Sequence, residues 1–207
     1  MKVAIVNYGM GNLGSVRRAF DDLGADAFVA EHPSALDDAH RVVLPGVGAF
    51  GEGMDRLHAG GWVGSLQELA AEGTRPLLGI CLGMQMLASH GEEGGANPGL
   101  GLVEGSIRRL DALGCTLRIP HVGWNDITFE SGDPLFAHIA QRADFYFVHS
   151  YAFAPTTDTE VTSRADYGVP VVASVRRGIV FGTQFHPEKS SKAGRQVLRN
   201  FLDFRVC

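Results

Sequence analysis

The stretch Arg75-Pro-Leu-Leu-Gly-Ile-Cys-Leu-Gly-Met-Gln-Met-Leu87 decides how the chain folds. It opens with a short apolar run, Leu77 to Ile80, that is typical of a buried strand, and the residues from Leu82 to Ala88 are typical of a helix. Cys81 lies at the junction, with one glycine two residues before it and another two residues after it. The pattern G-x-C-x-G predicts a sharp strand-to-helix turn that exposes a cysteine nucleophile.

The predicted turn favours a reactive thiol. Small flanking residues are needed because larger side chains would clash with a strained turn, and a helix N-terminus favours the thiolate. The backbone N–H of Leu82 is well placed to bind an oxyanion. A buried structural cysteine is the alternative for Cys81, since free cysteine is often buried. The paired glycines and the strand-helix context favour the nucleophile.

A cysteine nucleophile needs a base, and one of the eight histidines lies in suitable company. His186 and Glu188 follow an apolar run that starts at Val180. In an extended segment, residues two apart point the same way, so the carboxylate can fix the imidazole tautomer and support the imidazolium. Cys81, His186 and Glu188 therefore form a candidate triad.

At this point the motifs are similar to those of a known family. The chain resembles the class I glutamine amidotransferases of the triad type in two stretches, Gly79 to Gln85 and Gln184 to Glu188. More narrowly, the chain resembles the glutaminase subunits of imidazole glycerol phosphate synthase. That narrower resemblance depends on four further stretches: Asn7 to Asn12, Pro45 to Gly51, Pro120 to Asn125 and Phe145 to Tyr151.

The resemblance implies an α/β fold, with a central, mostly parallel sheet flanked by helices and a strand-rich second half. It covers essentially the whole chain and implies one glutaminase domain over residues 1–207. In the second half, seven segments are expected to be strands: 102–110, 116–119, 124–129, 145–149, 160–163, 171–175 and 179–185. The helix that follows Cys81 is expected to end near His90-Gly91, and a last helix is expected from Ser190 to Phe204.

The resemblance also implies roles around the nucleophile. Val47 or Gly48 would supply the second oxyanion N–H, although an ordinary glycine turn is the alternative. Gln85 and Glu93 would hold the substrate L-glutamine, with a solvated loop acid as the alternative for Glu93. The backbone of Ser150 and Tyr151 would contact the glutamine carboxylate.

Five further residues match positions that lie close to the partner or the hinge in the family. For Asn12, a plain strand-helix turn is the alternative, and the loop lacks the spacing of a nucleotide site. For Trp124 the alternative is a buried core residue, and His149 nearby is expected to be a hydrogen-bonded strand residue. The five residues are Asn12, His121, Trp124, Tyr146 and Lys189.

Composition excludes several other classes of protein. The net charge is −5 with no basic block, which argues against nucleic acid as the partner. No apolar run reaches the length of about 18–20 residues that spans a membrane, and the start of the chain is too short a run for a secretory signal. The three cysteines, Cys81, Cys115 and Cys207, suit a reducing cytoplasm rather than a disulfide framework. No Cys/His spacing indicates a metal, and no cofactor is expected.

The motifs extend from Tyr8 to Lys189, which leaves no room for a synthetase domain, so another polypeptide is expected to receive the ammonia. By resemblance this partner is the (β/α)₈ cyclase subunit, in a heterodimer. A paralogous subunit that supplies ammonia for sugar amidation in surface-polysaccharide synthesis fits the motifs about as well, and the neighbouring gene would discriminate the two. A non-catalytic subunit and a cysteine peptidase are further alternatives, against which the intact triad and Gln85 argue.

Overall fold

The computed structural model describes residues 1–206, so Cys207 lies outside the described residues. Residues 1–206 contain five α-helices: α1 Leu13–Asp21, α2 Phe50–Ala59, α3 Trp62–Glu72, α4 Leu82–Met86 and α5 Ser191–Asp203. The strands are β1 Lys2–Val6, β2 Asp26–Ala30, β3 Arg41–Gly46, β4 Leu77–Cys81, β5 His90–Gly91, β6 Asn97–Pro98, β7 Gly105–Arg109, β8 His121–Phe129, β9 Asp144–His149, β10 Tyr151–Pro155, β11 Val161–Asp166, β12 Pro170–Arg177 and β13 Val180–Thr183. Within residues 1–206, no helix has both the length and the apolar character needed to cross a membrane.

Nine strands form the main sheet in the order β2-β1-β3-β4-β13-β12-β11-β8-β9. The first five are parallel to one another, and the remaining four continue the sheet in antiparallel pairs. A smaller sheet contains β10, β7, β5 and β6. The expected α/β fold, with a central sheet and a strand-rich second half, is confirmed.

Both faces of the parallel half are buried, because helices cover each side. Along β1, Val3 and Ile5 belong to one apolar cluster, and Ala4 and Val6 belong to the other. Apolar residues of α1 and α5 pack in the first cluster, and those of α2, α3 and α4 pack in the second. The apolar runs of the sequence are therefore those of parallel strands buried on both faces.

The central strand β4 brings three distant parts of the sequence to one edge of the sheet. Its neighbours β3 and β13 are both parallel to it, so all three strands end at the same edge. In this register Gly46 pairs with Cys81, and Thr183 pairs with Ile80. The chain that leaves β3 and the chain that leaves β13 therefore flank Cys81, at the edge where open α/β sheets bind ligands.

Two expectations about the elements are wrong, and one strand was not expected. Residues 116–119 form no strand, because no described strand pairs with them, and the carbonyl of Arg118 accepts instead from the Tyr167 hydroxyl at 2.7 Å. The helix after Cys81 ends at Met86, since the N–H of Leu100 donates to the Met86 carbonyl and the chain continues into β5. Strand β10, directly after Ser150, was not expected.

Candidate active site

Cys81 lies in a strained backbone conformation between β4 and α4. Its φ is +54° and its ψ is −110°, which non-glycine residues rarely adopt. A Cβ added to Gly79 would lie 2.7 Å from the carbonyl carbon of Gly83, so the turn closes only with glycine at that position. The structure therefore has the tight strand-to-helix geometry that the G-x-C-x-G pattern predicts.

His186 and Glu188 lie together beside this turn. Nδ1 of His186 is 2.8 Å from Oε1 of Glu188, and both side chains are buried. Among residues 1–206, Nε2 of His186 has no hydrogen bond of standard geometry, and the Cys81 thiol is the group that interacts with this ring on its other side. Ser190 fixes the backbone here, since its hydroxyl donates to the His186 carbonyl at 2.6 Å. The arrangement can serve as nucleophile, base and orienting carboxylate.

The surroundings of His186 favour the imidazolium. Burial lowers the pKa of His186, but hydrogen bonding and charge interactions with Cys81 and Glu188 outweigh it and raise that pKa from 6.5 to about 9. An imidazolium between a thiolate and a carboxylate is the ground state that cysteine nucleophiles use. The site is therefore prepared for attack on a carbonyl carbon and for protonation of the leaving group.

This raised pKa predicts a pH dependence of stability. A folded-state pKa above the unfolded value contributes stability that is present below pH 6.5 and is lost as the pH rises towards 9. The free energy of unfolding of the wild type minus that of His186→Gln is expected to fall by up to about 3 kcal/mol over this range. Urea unfolding between pH 6 and pH 9.5 measures it, with the exposed His58→Gln as control. A difference that stays constant with pH would contradict the interpretation.

The segment after β3 forms a turn beside the nucleophile. Gly48 has a φ of +119°, a conformation that favours glycine, and Val47 is 44% exposed. The hydroxyl of Tyr8 donates to the carbonyl of Pro45 at 2.9 Å, and the side chain of Met10 occupies the place that a Gly48 side chain would take. Backbone N–H groups of this turn and of Leu82 are thus available at one edge of the sheet.

These groups surround a cavity of about 350 Å³, a volume within the range of small-molecule sites. Nine residues with predicted catalytic, oxyanion or substrate roles line it, and Glu188 lies behind His186. The nine are Val47, Gly48, Cys81, Leu82, Gln85, Glu93, Ser150, Tyr151 and His186. Within the described part of the chain, no group of three or more His, Cys, Asp or Glu is placed to hold a metal, and the expectations of no metal and no cofactor stay predictions.

Hydrogen bonds hold the walls of this cavity. Nε2 of Gln85 donates to the Tyr151 carbonyl at 3.0 Å and to Oε1 of Gln184 at 2.9 Å. Oε2 of Glu93 accepts from the N–H of Phe50 at 2.8 Å, at the start of α2. Glu93 is therefore fixed at the cavity, unlike a loop acid that is only solvated.

Sequence reasoning gave Gln184 no role at this site. Gln184 is fully buried, and its Nε2 donates to Sγ of Cys81 at 3.7 Å. The expectation for His149, a hydrogen-bonded strand residue, is confirmed, since it ends β9 and bonds to His121, but its place on the cavity wall was not expected. The position of Gln184 two residues before His186 was the available signal, because residues two apart in a strand point the same way.

The residues with predicted partner roles lie around the cavity or behind it. Asn12 caps α1, since its Oδ1 accepts from the N–H of Ser15, and it does not line the cavity. Trp124 is 55% exposed, which contradicts a buried core residue, and its ring meets that of Tyr146 edge to face. His121 is buried, whereas Lys189 is exposed next to the Glu188 turn.

Comparison with known proteins identifies the family of the chain. The class-I glutamine amidotransferase family model matches residues 4–204. The HisH subunit of imidazole glycerol phosphate synthase from Moorella thermoacetica is 47% identical over 199 residues, which are 96% of this chain and 93% of that protein. The HisH subunit from Halobacterium salinarum is 46% identical over 209 residues, 98% of this chain and 93% of that protein.

Solved structures with lower identity share the fold. A glutamine amidotransferase structure superposes with a TM-score of 0.76 at 22% identity and covers 97% of both chains. PurLQS from Thermotoga maritima superposes with a TM-score of 0.76 at 20% identity, over 98% of this chain and 97% of the matched one. The family model and the HisH relatives show that the chain belongs to the class-I glutamine amidotransferases and, among them, to the HisH family of imidazole glycerol phosphate synthase subunits.

Proposed function

We propose that this protein hydrolyses L-glutamine to glutamate and ammonia, and that the ammonia passes to a cyclase subunit in histidine biosynthesis. The observation that carries the proposal is the strained Cys81 between the Val47-Gly48 turn and the His186–Glu188 pair. The names of the HisH relatives support the pathway, and no observation favours the sugar-amidating alternative.

The reaction is an acyl transfer in two steps. The Cys81 thiolate attacks the side-chain carbonyl carbon of glutamine, and the imidazolium of His186 gives its proton to the departing ammonia. His186, now neutral and oriented by Glu188, then takes a proton from water, which attacks the thioester. The tetrahedral intermediate then collapses and the Cys81 thiolate leaves the carbonyl carbon, which restores the thiolate–imidazolium pair. The new side-chain carboxylic acid gives its proton to solvent, and glutamate departs. The N–H groups of Leu82 and of Val47 or Gly48 stabilise the oxyanion in both steps.

The other cavity residues bind the substrate. The carboxylate of Glu93 pairs with the α-ammonium group of glutamine, and backbone groups of Ser150 and Tyr151 hold its α-carboxylate. Gln85 supports this wall through its bond to the Tyr151 carbonyl. Glutamine is thus held by its charged end, with its side-chain amide at the thiol.

An exposed apolar surface at the mouth of the cavity supports a protein partner. In the β8–β9 pair, Val122 lies opposite Val148 and Trp124 lies opposite Tyr146. Val122, Trp124 and Val148 are 55%, 55% and 37% exposed. Such a patch marks an interaction site, and Val148 also lines the cavity.

We assign the partner on this surface as the cyclase subunit, in a heterodimer in which Asn12, His121, Trp124, Tyr146 and Lys189 lie at or near the contact. The cyclase would use the ammonia to make imidazole glycerol phosphate and an aminoimidazole carboxamide ribotide. The same proposal includes three further points. Residues 1–207 form one glutaminase domain, the protein works in a reducing cytoplasm, and it binds neither nucleic acid nor a membrane.

Glutamate release should therefore be slow for the chain alone and fast with the cyclase subunit and its nucleotide substrate. If the partner turns a peptide N–H of the Val47-Gly48 turn towards the oxyanion, a stimulation of about 10²–10³-fold is expected, which is the effect of one oxyanion donor. A coupled glutamate assay measures it, with Trp124→Ala as a variant in which the partner binds less tightly. The histidine assignment would be ruled out by an active cyclase that does not stimulate glutamate release and binds this chain no more tightly than an unrelated barrel protein does.

A further inference from the structure

A chain of buried hydrogen bonds runs behind the cavity wall. Nδ1 of His149 is 2.8 Å from the Tyr151 carbonyl oxygen, and Nε2 of His149 is 3.0 Å from Nδ1 of His121. Nε2 of His121 is 3.3 Å from Nδ2 of Asn125. His121 and His149 are 2% and 6% exposed, and the catalytic chemistry proposed above uses neither ring.

The direction of every bond in this chain is fixed by chemistry. A carbonyl oxygen only accepts, so Nδ1 of His149 carries a proton and donates to Tyr151. Nδ2 of Asn125 also donates to the carbonyl of Asp166 at 2.9 Å, which identifies it as the amide nitrogen. It therefore donates to Nε2 of His121, so the proton of that ring lies on Nδ1 and is donated to Nε2 of His149.

The same carbonyl joins this chain to the nucleophile. The Tyr151 oxygen accepts from His149 and also from Nε2 of Gln85, which uses its second N–H on Oε1 of Gln184. Nε2 of Gln184 then donates to Sγ of Cys81. His149 and Cys81 are thus linked through two glutamine amides and one peptide carbonyl.

We infer that His149, supported by His121, is a positioning residue that fixes the Ser150-Tyr151 backbone where the α-carboxylate of glutamine binds. The inference rests on the proposed glutaminase function, because it names the residue that holds one subsite of that cavity. His149 acts as a neutral donor in one tautomer and transfers no proton.

The surroundings keep both rings neutral. Burial lowers the pKa of His149 to about 3, the Tyr151 carbonyl acts in the opposite direction, and the charges of His121 and His186 lower it further. Burial also lowers the pKa of His121 to about 4, and this ring is stacked between Phe147 and Tyr167. A cationic His149 would moreover turn Nε2 into a donor that meets the proton on Nδ1 of His121.

The tautomers can be measured without any enzymatic activity. In ¹⁵N-histidine-labelled protein at pH 7, NMR is expected to show both rings neutral and protonated on Nδ1. The variants His121→Gln and His149→Asn assign the two signals. A cationic ring, or a proton on Nε2 of either residue, would overturn the inference. A protein that shows the expected tautomers but releases no glutamate with an active cyclase would instead overturn the proposed function.

Kinetics separate positioning from general stability. Asparagine can place its amide nitrogen where Nδ1 of His149 lies, so His149→Asn keeps the donor to Tyr151, whereas His149→Leu removes it. The KM for glutamine is expected to rise about tenfold in His149→Leu, because the Tyr151 carbonyl loses one of its two donors and keeps only Gln85, with a smaller change in kcat. In His149→Asn the KM should stay within about threefold of the wild type, since the bond is kept.

Two kinetic results would contradict the role of His149. One is a folded His149→Leu with the wild-type KM, and the other is a His149→Asn that is impaired as much as His149→Leu. If His149→Leu does not fold, the asparagine variant and the tautomers of the wild type still decide, because a KM raised tenfold in folded His149→Asn overturns the inference by itself.

Discussion

Cys81→Ala is expected to lower the rate of glutamate release, with the cyclase and its substrate present, by about 10⁴-fold or more. Alanine removes the sulfur that forms the thioester, and Cys81 is the one cysteine among residues 1–206 that lines the cavity. Removal of the nucleophile of a triad costs nearly as much as removal of the whole triad, because its members act as a unit.

The matched control for this experiment is Cys115→Ala. Cys115 is also buried, but it packs in a separate small cluster, and its Sγ donates to the carbonyl of Tyr167 at 3.2 Å. We expect Cys115→Ala to change the rate less than twofold, since that thiol lies outside the cavity. Both variants must bind the cyclase as tightly as the wild type does. A lower rate of glutamate release then reports a slower chemical step rather than weaker binding of the partner. Appreciable glutamate release by a pure, folded Cys81→Ala would exclude the covalent mechanism.

The sequence predicted the nucleophile and its orienting pair because their geometry is local. The glycines around Cys81 prescribe a turn within five residues, and His186 and Glu188 lie two residues apart. Cys81 and the His186–Glu188 pair lie close together in the structure because β13, which precedes His186, lies next to β4, which ends at Cys81. That adjacency could be expected only from the family resemblance.

The hydrogen-bond network behind the cavity could not be predicted in this way. It depends on the register of β8 and β9, in which His121 lies opposite His149. A shift of one residue in this pairing would place the two rings on opposite faces of the sheet, and no local pattern in the sequence distinguishes the two registers. The wrong strand at residues 116–119 has a similar cause, because strand pairing is decided by distant parts of the chain. No described strand pairs with these residues, and the Arg118 carbonyl accepts from the distant Tyr167 hydroxyl instead.

Gly83→Ala is expected to give the largest loss of stability among single methyl additions at the active-site turn. A Cβ at this position would overlap the carbonyl oxygen of Leu44 and lie 2.8 Å from its carbonyl carbon. Both atoms belong to the backbone of β3, which is hydrogen-bonded to β1 and β4 on either side, so neither can move aside alone. The methyl group must therefore separate α4 from β3 or strain the turn that holds Cys81.

We expect this strain to lower the free energy of unfolding by about 4 kcal/mol or more, which corresponds to a fall in Tm of about 10 °C or more. Gly64→Ala is the matched control, because Gly64 lies in α3 with no atom within 4 Å of an added Cβ. Alanine there should raise the free energy of unfolding by about 0.5–1 kcal/mol, since it restricts the unfolded chain and favours the helix. Thermal and urea unfolding of both variants tests the pair. A Gly83→Ala variant as stable as the wild type would mean that α4 does not pack against β3 as closely as the elbow geometry requires. Equal destabilisation by both alanines would mean that the cost does not come from this contact, since Gly64 has no such neighbour.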